Sequence, residues 1–173
     1  MHHDEAAAST PFAHHHMGMA TAQASEAVAP SVASSMTPDE LLAPADTIRV
    51  SVQGIQYAWM FSYPGTEVVT GELHVPAGQR VRLDLEAEDV IHSFWVPQLR
   101  IKQDAIPGMA TYLEFTPTRV GEYPVVCAEL CGAYHGAMRT QMVVHTAAGF
   151  EEWLQMAQAE AQTNAPTVAT VSH

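Results

Sequence analysis

The sequence predicts an all-β domain, an antiparallel sandwich or barrel, closed by one short helix. Three observations carry this prediction. Apolar and polar residues alternate with period two in short runs. Glycine- and proline-containing turns separate those runs about every eight to twelve residues. The helical period appears once, near the C-terminus. With 173 residues, 47% of them hydrophobic, the chain can bury one genuine core and still carry tails.

Residues 1–45 come first. They are rich in Ala, Ser, Thr, Pro and His and keep neither period. Such a segment buries too little to offset its ordering entropy, so a flexible, disordered tail or linker is expected. His2, His3 and the run at 14–16 are read as solvated linker residues or a cloning remnant able to catch a stray ion.

The barrel domain is expected over 46–146. "TIRVSVQ" sets Ile48, Val50 and Val52 against Arg49, Ser51 and Gln53. "QRVRLDL" sets Val81, Leu83 and Leu85 against Arg80, Arg82 and Asp84. "TYLEF" and "RTQMVV" also have strand character. "YPG" at 63–65, "PAG" at 76–78, "IPG" at 106–108 and "RVGEY" at 119–123 are the turn signals. The helix is expected over 147–162, with Thr146 as N-cap and Glu151 and Glu152 near its positive end. Phe150, Trp153, Leu154, Ala157 and Ala161 form one apolar stripe for packing on the barrel. Residues 163–173 read as a loose end.

Composition excludes several function classes. The formal net charge of −12 argues against a nucleic-acid binder. The charge is uneven: residues 46–145 hold all seven Lys and Arg and eleven of the nineteen acids, so the folded part is only mildly acidic. Two cysteines make neither a disulfide framework nor a four-thiolate iron–sulfur site. No Gly-rich phosphate loop and no long repeat is present. There is no apolar run of about eighteen residues. Asp4 and Glu5 stand where a secretion signal needs positive charge. A soluble chain without a targeting address is expected.

Both cysteines lie in "CAELCGAYHGAM", as Cys127 and Cys131, followed by His135 and Met138. Thiolate, imidazole and thioether are ligands for soft or borderline metals. Gly132 and Gly136 allow a loop at a barrel end to turn these side chains toward one point. A buried or disulfide-linked cysteine pair with an unrelated His and Met is the plain alternative. Structural zinc is another, but zinc has little use for Met138. A thioether beside thiolate and imidazole points to copper used for electron transfer. A mononuclear blue site needs one cysteine. Two suggest a pair of coppers bridged by both sulfurs, each with its own imidazole. His135 supplies one imidazole, and His74, His92 and His145 are candidates for the other. His92, in "EDVIHSFWVP", has the shielded strand-end context; His74 and His145 read as ordinary surface or core histidines.

"DVIHSFWVP", "KQDAIPG" and "CAELCGAYHGAM" together resemble the periplasmic domain of subunit II of haem–copper cytochrome c oxidases, over residues 46–155. "VVCAELCGAYHGAMRTQ" and "QYAWMFSYPG" are most similar to the cyanobacterial type. The resemblance implies a cupredoxin-like Greek-key β-barrel. It implies a binuclear copper A centre at His92, Cys127, Glu129, Cys131, His135 and Met138, with Glu129 binding through its backbone carbonyl. It implies that the Glu129 carboxylate reaches magnesium only in the assembled complex. Phe94 and Trp95 are expected as an apolar shell.

The implied function is to accept electrons from a soluble donor, either cytochrome c6, another cytochrome c or plastocyanin, and pass them to haem in subunit I. The enzyme in that reading is the whole oxidase; the isolated domain transfers electrons and does not reduce oxygen. Many relatives receive electrons at the first Trp of a Trp-Tyr-Trp run. Here "GIQYAW" puts Tyr57 at that place and Trp59 at the third, so Tyr57 is expected on the docking face and Trp59 mostly in the core. Glu86, Glu88 and Asp89 are candidates for steering a cationic donor. The family's usual two N-terminal membrane helices are missing. The chain therefore reads as a monomeric, soluble fragment of a membrane-anchored parent, with this domain in the periplasm or thylakoid lumen. A copper delivery or storage protein, or a nitrous oxide reductase-like copper A domain, are the competing readings; the latter usually has an aromatic residue where Glu129 stands.

Overall fold

The computed structural model describes residues 46–164. The expectations for 1–45 and for the last nine residues fall outside the described residues. Among the described residues ten strands form two five-stranded sheets, followed by one α-helix. They are β1 (Ile48–Ile55), β2 (Ala58–Ser62), β3 (Val69–Thr70), β4 (Leu73–Pro76), β5 (Val81–Ala87), β6 (His92–Val96), β7 (Ile101–Ala105), β8 (Thr111–Phe115), β9 (Gly121–Cys127) and β10 (Arg139–His145). The helix, α1, runs Ala147–Asn164.

One sheet has the order β3-β2-β1-β5-β8 and the other β4-β10-β9-β6-β7. The pairs β1–β5 and β4–β10 are parallel and the rest antiparallel. The first strand therefore lies beside the fifth, with β2 to β4 looping away between them, which is the Greek-key character of the all-β fold.

The alternation seen in the sequence is the alternation of burial. Val50, Val52, Leu83 and Leu85 point inward from β1 and β5, and Phe94, Val96, Val125, Met142 and Val144 point inward from the facing sheet; all are at most 1% exposed. Each fully buried side chain of this size contributes roughly 1.5–3 kcal/mol of transfer free energy. Trp59, Phe61 and Phe94 join the two layers edge to face, with centroid distances of 5.6 Å for Trp59–Phe94 and 6.3 Å for Phe61–Phe94.

Glycine matters at one point of β1. A Cβ on Gly54 would lie 2.9 Å from His92 Cδ2 and 3.2 Å from Trp59 Cζ3. The bare backbone therefore gives the His92 ring its space in an otherwise filled layer.

Thr146 caps the helix: its Oγ1 accepts the Gly149 N–H at 3.1 Å. Phe150 is buried, and Trp153, Leu154 and Ala157 pack partly against the core. The helix continues past the expected end at 162 to Asn164, the last described residue. Trp153 lies flat on His74, with centroids 4.1 Å apart and planes at 10°. His74 Nδ1 is 2.9 Å from His145 Nε2, so one ring donates and the other accepts. That bond needs at least one neutral imidazole. Burial, and next repulsion from His145, push His74 down to about 4; burial lowers His145 as well.

Two expectations follow for the metal-free protein. Between the ordinary histidine value and about pH 4 the unfolded chain binds protons that His74 refuses, so stability falls as pH drops through that window and levels below it. The loss should be up to roughly 3 kcal/mol in urea unfolding between pH 7.5 and pH 4, and should shrink in His74→Phe. A flat profile in the wild type would contradict it. Gly54→Ala should cost about 1–3 kcal/mol by the same assay, with shifted His92 ring resonances; a neutral substitution would show that the strand yields freely.

Candidate metal centre

The strands β9 and β10 bring the loop 128–138 back to its own base. The Cys127 N–H donates to the Met138 carbonyl at 3.0 Å, and the Ala128 N–H donates to the Ser93 carbonyl of β6 at 2.9 Å. Inside the loop a 3-10 turn at His135–Ala137 is closed by the Met138 N–H on the His135 carbonyl at 3.1 Å. Gly132 has φ +133°, which L side chains rarely adopt, and a Cβ there would lie 2.6 Å from Tyr57 Oη. The β1–β2 turn thus packs directly on the loop.

His92 opens β6 and has 0% exposure. Its Nε2 is 2.8 Å from Asp89 Oδ1. Asp89 also accepts the Val90 N–H at 2.7 Å and, through Oδ2, the Gln56 N–H at 2.7 Å. Partial burial works against the Asp89 anion, but the hydrogen bonds from His92, Gln56 and Val90 outweigh it and hold the carboxyl below its usual range. An ionised carboxylate only accepts, so His92 Nε2 is the donor in this bond and Nδ1 is the ring nitrogen turned away from Asp89. That Nδ1 faces Cys127 Sγ at 3.9 Å.

The remaining donors line up on the two sulfurs. Cys127 Sγ is 3.8 Å from Cys131 Sγ and 3.2 Å from the Glu129 backbone carbonyl. Cys131 Sγ is 3.6 Å from His135 Nδ1 and 3.8 Å from Met138 Sδ. So His92 Nδ1 and the Glu129 carbonyl lie nearest Cys127 Sγ, and His135 Nδ1 and Met138 Sδ lie nearest Cys131 Sγ. Both cysteines are free thiols. Two thiolates on one tetrahedral ion with metal–sulfur bonds of roughly 2.3 Å stand about 3.8 Å apart, so the observed gap suits sulfurs sharing a metal. The donor atoms of His92, Cys127 and Cys131 all lie within 4.8 Å of one another. Burial, and next the adjacent Cys127 thiol, push Cys131 up to about 11. A bound cation favours the thiolate and reverses that shift.

The wall behind the donors is aromatic. Trp59, 2% exposed, meets His92 edge-on at 5.9 Å and Phe94 at 5.6 Å. Its indole Nε1 is buried without a hydrogen-bond partner. Trp95 departs from the expected shell: it alternates to the outer face of β6 and is 38% exposed, while Phe94 faces in. Tyr57 is half-buried in the β1–β2 turn and meets Tyr134 edge-on at 5.3 Å. Tyr134 is 67% exposed and Leu130 80%, so the loop carries apolar surface outward. His74 and His145 are engaged with each other and Trp153; His145 ends β10, about 20 Å of strand away from its start at the loop.

Asp89, Gln56 and Gly54 are contributors that pattern reading does not single out. Asp89, considered for donor steering, turns its carboxylate inward to His92. The acid three residues before a metal-type histidine is the signal that could have suggested this. Gln56 and Gly54 act across the fold and leave no local pattern.

A family model described as cytochrome c oxidase subunit II, periplasmic domain, matches residues 67–146. Cytochrome c oxidase subunit 2 of Thermostichus vulcanus is 53% identical over 152 residues, covering 88% of this chain and 45% of that protein. The subunit 2 of Synechocystis sp. is 53% identical over 107 residues, covering 62% and 32% respectively. The chain spans less than half the length of these curated relatives. The crystal structure of the periplasmic domain of subunit II of Bradyrhizobium japonicum cytochrome oxidase superposes with TM-score 0.61 at 27% identity, covering 68% of this chain and 97% of that one. With its sheet order, its His–Cys cluster and this similarity to cyanobacterial sequences, the folded part of the chain belongs to the family of cytochrome c oxidase subunit II periplasmic domains.

Proposed function

We propose that this chain is the electron-accepting domain of a haem–copper cytochrome c oxidase, holding a binuclear copper A centre. The observation that carries the reading is a pair of thiols with four further donors around it: His92 and the Glu129 carbonyl nearest Cys127, His135 and Met138 nearest Cys131. Bound there, copper would supply one-electron carrier chemistry with no bond made or broken in a substrate.

The protein's own part is to hold the ligands still and dry. Cys127, Cys131, Met138 and His92 are 7%, 4%, 1% and 0% exposed. Asp89 fixes the His92 tautomer and ring plane. The backbone bond from Cys127 to Met138 fixes the span between the first and last ligands of the loop. A site built this way rearranges little when its charge changes. Delivery and storage proteins need exchangeable, exposed ligands, which this burial does not offer.

The same reading gives the finer assignments. Glu129 contributes its carbonyl to the centre and leaves its exposed carboxylate for magnesium at the subunit I border. Subunit I is the partner that takes the electron on to haem. The donor is a soluble cytochrome c, cytochrome c6 or plastocyanin, docking over Tyr57 and the exposed part of the loop. The parent protein is membrane-anchored and this domain faces the periplasm or thylakoid lumen. Among the described residues no helix is long and apolar enough to cross a membrane.

Adding Cu(II) to the reduced metal-free protein should give a purple product whose unpaired electron couples equally to two copper nuclei in electron paramagnetic resonance. A blue product coupled to one nucleus would overturn the binuclear assignment. In the loaded domain, Tyr57→Ala should slow reduction by the donor by about tenfold or more while leaving that spectrum in place. Unchanged rates in Tyr57→Ala, with slowing in a folded Trp59→Ala, would reverse the two roles.

A further inference from the structure

One residue of the β1–β2 turn bonds both the Cys131 backbone and the Asp89 carboxylate that holds His92. We infer that Gln56 is a positioning residue that locks the Cys131 loop to His92 before any metal arrives; this rests on the metal-centre reading above. Its side-chain Nε2 lies 2.6 Å from the Cys131 carbonyl oxygen. A carbonyl only accepts, so the amide nitrogen is the atom that faces it. The backbone N–H of the same residue donates to Asp89 Oδ2 at 2.7 Å, and Asp89 Oδ1 holds His92 Nε2 at 2.8 Å. Three hydrogen bonds thus run from the Cys131 carbonyl to the His92 ring, and two of them belong to Gln56.

The strap takes the Cys131 carbonyl, next to the Gly132 carbonyl that accepts the His135 N–H at 3.2 Å within the loop. Cys127 is tied down by backbone bonds to Met138 and, through Ala128, to Ser93. Cys131 sits mid-loop, and Gly132 after it takes a conformation with many alternatives. With its carbonyl turned to the β1–β2 turn, Cys131 keeps its sulfur 3.8 Å from both Cys127 Sγ and Met138 Sδ. Gly132 makes the strap possible: a Cβ there would stand 2.9 Å from Gln56 Nε2. Gln56 itself is exposed and lies outside the buried core, so replacing it leaves the packing of the two sheets intact.

The test uses Gln56→Met, which keeps the length and loses the donor, and Gln56→Lys, which restores an N–H donor. In the metal-free protein, site-resolved alkylation by iodoacetamide should speed up at Cys131 in Gln56→Met by roughly three- to tenfold, the population change of losing one hydrogen bond. Cys127 should change much less, Gln56→Lys should return toward wild type, and the urea midpoint should fall by no more than the loss of that one bond accounts for. After Cu(II) loading, Gln56→Met should show altered copper hyperfine splitting. Equal Cys131 alkylation in wild type and Gln56→Met overturns the inference. So does a rise that Cys127 shares in equal measure, or a lysine variant as fast as the methionine one. If wild type itself gives a mononuclear spectrum, the copper reading fails, and the alkylation arm still decides whether Gln56 holds the loop.

Discussion

The buried His92 ring makes one side-chain hydrogen bond to an ionised partner, 2.8 Å from Nε2 to Asp89, and leaves Nδ1 aimed at Cys127. Around that bond the end of the barrel is arranged. Gly54 clears the space for the ring, Trp59 and Phe94 wall it off from water, and the β6–β9 pairing sets Cys127 beside Phe94. An imidazole buried this deeply is held in place by a carboxylate that is itself held by two backbone N–H groups. The donor atom therefore has a fixed direction, and the late loop has to come to it.

Bringing two thiols and a thioether to that place has an energetic consequence. The three sulfurs stand 3.8 Å apart along the chain of contacts Cys127, Cys131, Met138, all three residues buried. Burial and the neighbouring thiol make the Cys131 anion unfavourable, up to about 11. Such a cluster is poor at being a pair of thiolates alone and good at being one around positive charge. Metal binding at the site and thiol deprotonation are then one event, and the backbone bonds of the loop base have already met the ordering cost.

Much of this was legible in the sequence, for identifiable reasons. Period-two alternation in β1, β5, β8 and β10 survives because each of these strands has one face on the core. The short β3 and β4, two and four residues long, are too brief to show a period. Of the ligand-type residues, Cys127, Cys131, His135 and Met138 announce themselves because a single loop carries them. His92 could be favoured over His74 and His145 only by its apolar setting, and the fold separates them by engaging the latter two with Trp153. Trp95 was assigned to the shell by adjacency to Phe94, whereas neighbours in a strand face opposite ways. Gln56 leaves no local signal because its partners are distant in the chain: it reaches Cys131 across 75 positions and Asp89 across 33.

The thiols of Cys127 and Cys131 gather every other donor of the site around them, as a pair of metal ions sharing both sulfurs requires. Native mass spectrometry of the protein loaded with excess copper and then desalted measures this directly. The account predicts two retained copper ions per chain, falling to at most one in Cys131→Ser. A wild-type protein that saturates at a single ion would contradict it.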